Sequence, residues 1–446
     1  MTVCGPARRK ALFCLLLSAA IAVLWGSDTA RRSDFGLGAF KAVFYGARCL
    51  LHHSDPYNPS ILQKVYQEEC DRYPQKPTEA ILFRRANLIC VNLPTALFLV
   101  APFAMLHWRL AALLWFALSS AGFLLAAALI WRVASRYALK PATLLLCLVL
   151  ANSSILLGVG NLACLTVSLC IIAVWCFMEE RFVLVGILCL GIALLLKPHD
   201  AGLVWLYFLL AGGVQRRRAC LALGVAVTLA LPALVWNFRV APQWPGELRA
   251  NLAALAARGS VNDPGPDSLT FHSPDYVVCL QAPLSLLYDD ARFYNPVSYA
   301  ICGVLLLVGA ARAIRARWTG RTVWLALAAI ASLSLLPVYH RTYDAKLLLL
   351  AIPACAMLWR EGGVRKWLAG VLTTLAILST SDVPATALLS AMEAVQSGLG
   401  DAQEKLLTVV VFRPAALTLL AMGIFYLALY IRATAEEESG AAETRG

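Results

Sequence analysis

Charge is what this sequence has least of. Only 14% of its 446 residues are Asp, Glu, Lys or Arg, whereas 60% are hydrophobic and the mean hydropathy is +0.71. Soluble domains carry about a quarter charged residues, so this chain cannot solvate the surface of a soluble enzyme of its size, and that class is excluded. Several motifs are missing too. There is no GxxxxGK[ST] loop, no HExxH and no GxSxG, which removes P-loop nucleotide chemistry, zincin-type hydrolysis and the α/β-hydrolase elbow. No stretch between apolar runs is long enough for a doubly wound nucleotide-sugar domain. The sequence has no CxxC pair, no Cys/His metal spacing and no internal repeat, so neither a metal nor a cofactor is expected. Most of the 14 cysteines, such as Cys147, Cys164, Cys170 and Cys176, lie inside apolar runs and act as small buried hydrophobes. A bridge between Cys49 and Cys70 stays open if that segment is oxidised.

What the sequence has is apolar runs. The first, 11–26, follows Arg8, Arg9 and Lys10 and ends with Trp25, the pattern of an uncleaved anchor. Others lie near 91–106, 110–131, 142–157, 163–178, 182–196, 200–212, 219–237, 297–312, 322–338, 345–360, 366–381 and 407–431. A helix needs roughly 20 residues to cross a bilayer. The pattern predicts an all-α polytopic transmembrane bundle of about 12–13 spans, with one integral membrane domain over 1–431 and a polar cytoplasmic tail over 432–446.

Lys+Arg number 38 against 26 Asp+Glu, a net charge of +12. In a membrane protein this excess marks basic cytoplasmic loops rather than a nucleic-acid partner. Arg132, Arg136 and Lys140, then Arg181, then Arg216–Arg218, then Arg312, Arg315, Arg317 and Arg321, then Arg360, Arg365 and Lys366 fall at every second connection. Those connections are assigned to the cytoplasm, and 158–162, 197–200, 238–296, 339–344 and 382–406 to the other side. Twelve crossings satisfy this alternation, so one of the thirteen runs is broken or re-entrant. The stretch 91–106, interrupted by Pro94 and Pro102, is the expected one. Two outer connections are long, 27–90 and 238–296. Phe40, Val43, Phe44, Ala47, Leu50 and Leu51 recur at helical spacing in the first and predict an amphipathic helix lying on the membrane. The second predicts irregular chain with a short helix near 246–258.

Chemistry must then come from polar residues at the outer mouths of the helices. Five groups qualify: Arg31–Phe35, His52–Pro59, Gly160-Asn161, Lys197–Asp200 and Tyr339–Asp344. Ionisable groups near hydrocarbon are costly unless they have a partner or a task. Asp34 follows the first span, an aromatic helix leads to the turn Asp55-Pro56-Tyr57, Gly158–Asn161 forms a Gly-x-Asn step, and Lys197-Pro198 and Pro337-x-x-His340 with Tyr343 come after. In this order, over about residues 10–380, the motifs resemble those of glycosyltransferase family 87, polyprenol-phosphate-mannose-dependent mannosyltransferases of the membrane-embedded GT-C fold. The sequence departs from the family in lacking the glutamine of the Gly-Gln step and in having Asn92-Leu93-Pro94 where an aromatic-Pro pair is common.

The resemblance implies an inverting transfer of a hexose, with mannose expected, from a polyprenyl-phosphate sugar to a glycolipid or other acceptor hydroxyl, within membrane lipid. It takes place at the outer face of a multi-pass protein of the bacterial plasma membrane. Such a transfer needs a base for the acceptor proton and positive charge for the departing phosphate. The resemblance assigns the base to Asp34, whose alternative role is to cap the following helix, and the phosphate contact to His340 beside Arg341. Lys197 is a second candidate for the phosphate, or a snorkelling lysine. Asp55, Tyr57, Asn161, His199 and Tyr343 complete the candidates. Asp55 also has strong turn chemistry around it, while Asp200 and Asp344 read as ion-pair partners. The rival from another class is a multi-span transporter or lipid flippase; the lack of a repeat and the one-sided gathering of polar groups favour the enzyme.

Overall fold

The computed structural model describes residues 5–32, 36–72, 89–395 and 401–443. The described residues are mainly helical, without strands; one isolated bridge joins Val277 to Arg341. Five helices are long and apolar enough to cross a bilayer: Pro6–Arg31, Trp108–Ala134, Gly213–Val240, Ala291–Arg315 and Ala415–Glu438. A sixth span is available if Gly363–Ser379 and Asp382–Met392, bent by 70° at their break, count as one.

The remaining apolar runs form shorter helices. The run 142–157 breaks at Asn152 and Ser153 into Leu139–Ala151 and Ser154–Val159. Val183–Leu196 and Pro198–Leu210 meet at Lys197, and 345–360 opens as a 3-10 helix, Asp344–Ala351, before Ile352–Glu361. Fourteen helical residues rise about 21 Å, short of the roughly 30 Å of hydrocarbon. Hydropathy therefore marked which segments are apolar but not where the backbone breaks. Pro94–Ala104, with Pro102 inside it, is an 11-residue helix, as short as the interrupted run implies. The last helix continues to Glu443, so the polar tail begins within it.

The helix expected to lie on the membrane is instead packed inside the protein. In Gly38–Leu51, Phe40, Val43, Phe44, Ala47 and Leu50 are buried, and so is Lys41. Phe40 stacks on Trp115 with centroids 4.5 Å apart, Phe44 meets Trp108 edge-on at 5.2 Å, and the Lys41 ammonium lies 5.7 Å from the Trp108 ring. An apolar stripe predicts that something covers it; here the cover is protein rather than lipid. In the second long connection the short helix is Trp244–Ala256, and irregular chain follows to Gln281–Leu287. The Cys49 thiol is buried; the side chain of Cys70, and with it the pairing of the two, lies outside the described residues.

The connections gather into two polar ends. At one, Arg136 makes a two-pronged contact with Glu179 at 2.6 and 2.8 Å, Arg218 pairs with Glu180, Arg321 lies 3.3 Å from Glu361, and Arg360 covers Tyr137. These are the basic connections, brought together as the alternation of charge predicts. Helices run from this end to the other and back: Leu162–Met178 starts beside Asn161 and stops at Glu179, and Val183–Leu196 returns to Lys197. The intervening core includes the wholly buried Leu347, Leu349, Cys164 and Ala173.

Candidate active site

At the other end, local sequence dictates how each polar side chain is presented. A residue before proline is disfavoured in the helical region, so Val183–Leu196 must stop at Lys197, whose φ is −154° and ψ 84°. Pro198 then opens the next helix from its first position, where its missing N–H costs nothing. The interruption leaves Lys197, His199 and Asp200 between two helices.

They meet the segment after Gly320–Leu333. The Lys197 ammonium bonds the Asp344 carboxylate and lies 3.3 Å from Asp200 Oδ2. His340 Nε2 is 3.2 Å from Asp200 Oδ1, His199 Nε2 is 3.8 Å from the same oxygen, and the two imidazoles are 5.0 Å apart centre to centre. His340, Asp200 and Asp344 are buried, whereas the His199 side chain is 39% exposed. Asp344 Oδ2 also accepts from the Arg341 backbone N–H at 2.8 Å. Two carboxylates around one ammonium, with one imidazole enclosed and one at the rim, can hold a cation directly, or a phosphate through Lys197 and the histidines.

Arg341 points elsewhere. Its guanidinium contacts Asp275 at 2.6 Å, the Val261 carbonyl at 2.8 Å, Asn262 and the Tyr339 hydroxyl. The same outer connection is laced along the His340 segment: Val278 N–H donates to the His340 carbonyl at 2.9 Å, Leu280 N–H to Leu336, and Gln281 Nε2 to Pro337. Arg341 thus fastens the connection beside the site.

The Gly-x-Asn step forms a second wall. Gly160 ends Ser154–Val159 at φ +66°, where a Cβ would lie 2.7 Å from Leu37 Cδ2; only glycine combines that backbone with that proximity. Asn161 caps Leu162–Met178 by accepting from Ala163 N–H at 2.9 Å, and its Nδ2 donates to the Tyr343 hydroxyl at 3.2 Å. The Lys197 ammonium lies 5.8 Å from the Tyr343 ring, so Asn161 and Tyr343 border the Lys197 group. Leu37 N–H donates to the Gly158 carbonyl at 2.7 Å, which ties the start of the first outer helix to the same step. Asp34 lies outside the described residues.

Asp55 and Tyr57 belong to another buried group. Asp55 accepts from Tyr57 N–H at 2.8 Å, the turn its sequence predicts, and the Tyr57 hydroxyl donates to the Asn92 carbonyl at 2.8 Å. Asn251 Nδ2 bonds the carbonyls of Tyr57 and Cys90. Loss of hydration and a hydrogen bond with Asp55 push the Glu247 carboxyl up from an ordinary 4.5 to about 7.

The sequence missed three partners: Asp344 for Lys197, Asp275 for Arg341, and Glu247 for Asp55. Each is joined over a long separation, and nothing local announces it. The one available signal was that Lys197 and Asp344 sit on connections assigned to the same side. Lys346 is buried, donating to the carbonyls of Asn152 and Thr380 at 2.7 and 3.2 Å.

No curated protein and no solved structure matches this chain. A family model does: residues 91–270, which include the Gly-x-Asn step, Lys197-Pro198 and the start of the second outer connection, match glycosyltransferase family 87. That match makes this segment similar to the family the motifs resemble, and the helical architecture, with five helices long and apolar enough to cross a bilayer, agrees with a membrane-embedded glycosyltransferase.

Proposed function

We propose that the protein transfers a hexose, with mannose expected, from a polyprenyl-phosphate carrier to an acceptor hydroxyl at the extracytoplasmic face of a bacterial plasma membrane, with inversion. The observation that carries this reading is that the polar site and an apolar cavity lie along the same helix. Asp200, Leu203 and Tyr207 share one face of Pro198–Leu210. Asp200 belongs to the His340–Lys197 group, while Leu203 and Tyr207 line a cavity of about 290 Å³ together with Leu306, Ile330 and Leu333. A ligand with an anionic head and a long hydrocarbon tail fits that sequence of surfaces, and a nucleotide sugar does not.

In the proposed reaction a base takes the proton of the acceptor hydroxyl as its oxygen attacks the anomeric carbon, and the lipid phosphate leaves with the bonding electrons. Phosphate is a good leaving group, so no general acid is required. The resemblance gives the base to Asp34. His340 and Lys197 face the departing phosphate, His199 stands at the open rim, and Asn161 with Tyr343 keeps the wall beside Lys197 in place. Arg341 acts through the connection it fastens. The basic end, by the same charge asymmetry that orients other membrane proteins, faces the cytoplasm, which turns the site outward.

Purified protein incubated with a labelled polyprenyl-phosphate hexose and a glycolipid acceptor should move label to the acceptor, and should not do so from a nucleotide sugar. Robust direct use of the nucleotide sugar would overturn the donor assignment. Movement of an intact lipid between leaflets without transfer would favour a flippase.

A further inference from the structure

We propose that His199, Asp200 and His340 form a binding site for one divalent transition-metal cation of the zinc class, with a fourth position open to a phosphate oxygen. Each residue offers one ligand atom, and these atoms all lie within 4.8 Å of one another. Ligands about 2.05 Å from a tetrahedral zinc sit roughly 3.3 Å apart. The contacts of Asp200 Oδ1 with His340 Nε2 and His199 Nε2, at 3.2 and 3.8 Å, bracket that spacing. Two imidazoles and a carboxylate are a donor set that zinc-class ions favour.

A second observation is independent of the spacing. His340 Nδ1 lies 3.0 Å from the Val338 carbonyl, an arrangement in which Nδ1–H donates to it. In the neutral ring Nε2 then presents a lone pair, and it presents it to a carboxylate oxygen. Two electron-rich atoms facing each other in a buried place need something positive between them. Neither Asp200 oxygen nor His340 Nε2 makes a hydrogen bond of adequate geometry, and all three atoms are buried. An imidazole fixed by an Nδ1–H bond to a carbonyl is the usual support of a metal-ligating histidine.

Charge and access agree with this. Asp200 and Asp344 surround the single ammonium of Lys197, so with neutral imidazoles the group carries one net negative charge, which a dication reverses. The exposed side chain of His199 provides the entry. Three protein ligands leave a vacant corner, the arrangement of zinc sites that bind and polarise a substrate. The phosphate as occupant of that corner rests on the proposed donor; binding of the cation does not.

Cobalt(II) tests the site, because tetrahedral cobalt absorbs strongly in the visible. Chelator-stripped, purified full-length protein should take up one equivalent of Co²⁺ with tetrahedral bands, displaced by Zn²⁺, and polyprenyl phosphate should shift those bands. His199→Ala, whose side chain is partly in solvent and whose loss leaves the packing intact, and His340→Ala should each weaken binding by about tenfold or more. His272→Ala, an exposed histidine on the outer connection, should leave it unchanged. Absence of saturable binding in the wild type would overturn the site, and so would equal binding in His199→Ala. Stoichiometric cobalt with an unshifted spectrum on adding polyprenyl phosphate would overturn the open corner. Sugar-transfer assays on the same preparation report separately on the donor reading: failed transfer with intact cobalt bands defeats the donor and leaves the metal.

Discussion

The two polar ends of the bundle use the same residue types and treat them differently. At the basic end each of these ion pairs has one member in water: the side chain of Arg136 is 51% exposed and that of Glu180 60%. At the site end Lys197 is 12% exposed, and Asp344 and His340 are fully enclosed. Pairs in water are worth little, and their role here is to mark one side of the molecule. Enclosed charges have given up hydration and depend on one another. A cluster that a fold keeps at that cost is where chemistry is expected.

Breaking the cluster separates the two ends in measurable steps. The largest expected effect is on rate. Asp34→Asn keeps size and capping ability but removes basicity; with the donor still bound, turnover should fall by about 10² to 10⁴. Full activity would reduce Asp34 to a helix cap and make Asp55 the next carboxylate to examine. Next comes stability. Lys197→Met leaves Asp200 and Asp344 without their ammonium and should cost about 3–5 kcal/mol in denaturant unfolding in detergent, whereas Arg136→Ala at the wet end should stay within about 1 kcal/mol. Equal losses would erase the distinction between the ends.

A smaller effect is expected at Gly160, where alanine meets both the left-handed backbone and Leu37. The backbone alone accounts for about 1–2 kcal/mol. Since the turn aims Asn161 at Tyr343, activity should fall along with stability; wild-type stability for Gly160→Ala would mean that this step is not rigid. The mildest test is pH. Glu247 holds its proton more tightly folded than unfolded, so the folded state binds more protons between pH 4.5 and about 7. Stability from this group is therefore fully present below 4.5, declines as pH rises through that window, and is gone above about 7. Glu247→Gln should flatten that slope; an unchanged slope would assign it to other groups.

Much of this was legible in the sequence, for physical reasons particular to each element. The basic clusters at alternate connections did meet at one end, because arginines near apolar runs have few places to go. Lys197-Pro198 and Gly158–Asn161 act through backbone rules confined to a few residues, so their local form could be read directly. The Gly38–Leu51 helix was found, but its surroundings were misjudged: spacing shows an apolar face, and Trp108 and Trp115, which cover it, come from a distant segment. Breaks inside a run were hidden for a related reason, since Asn152 interrupts a helix within a stretch that remains apolar on average. Pairings such as Lys197 with Asp344 and Arg341 with Asp275 needed the fold.

The short helices that meet at Lys197 carry one more consequence. Val183–Leu196 presents Leu184, Val185 and Leu188 outward, yet it rises only about 21 Å. Lipid against that face meets a hydrophobic belt several Å narrower than an average bilayer, and the mismatch is relieved by local thinning or by tilt. Thinning there draws the headgroup layer down toward the end of the helix, where His199 is exposed. The proposed polyprenyl-phosphate sugar donor, diffusing in its own leaflet, would then arrive at the depth of Lys197 with its chain still among lipid tails, and the membrane itself would deliver it.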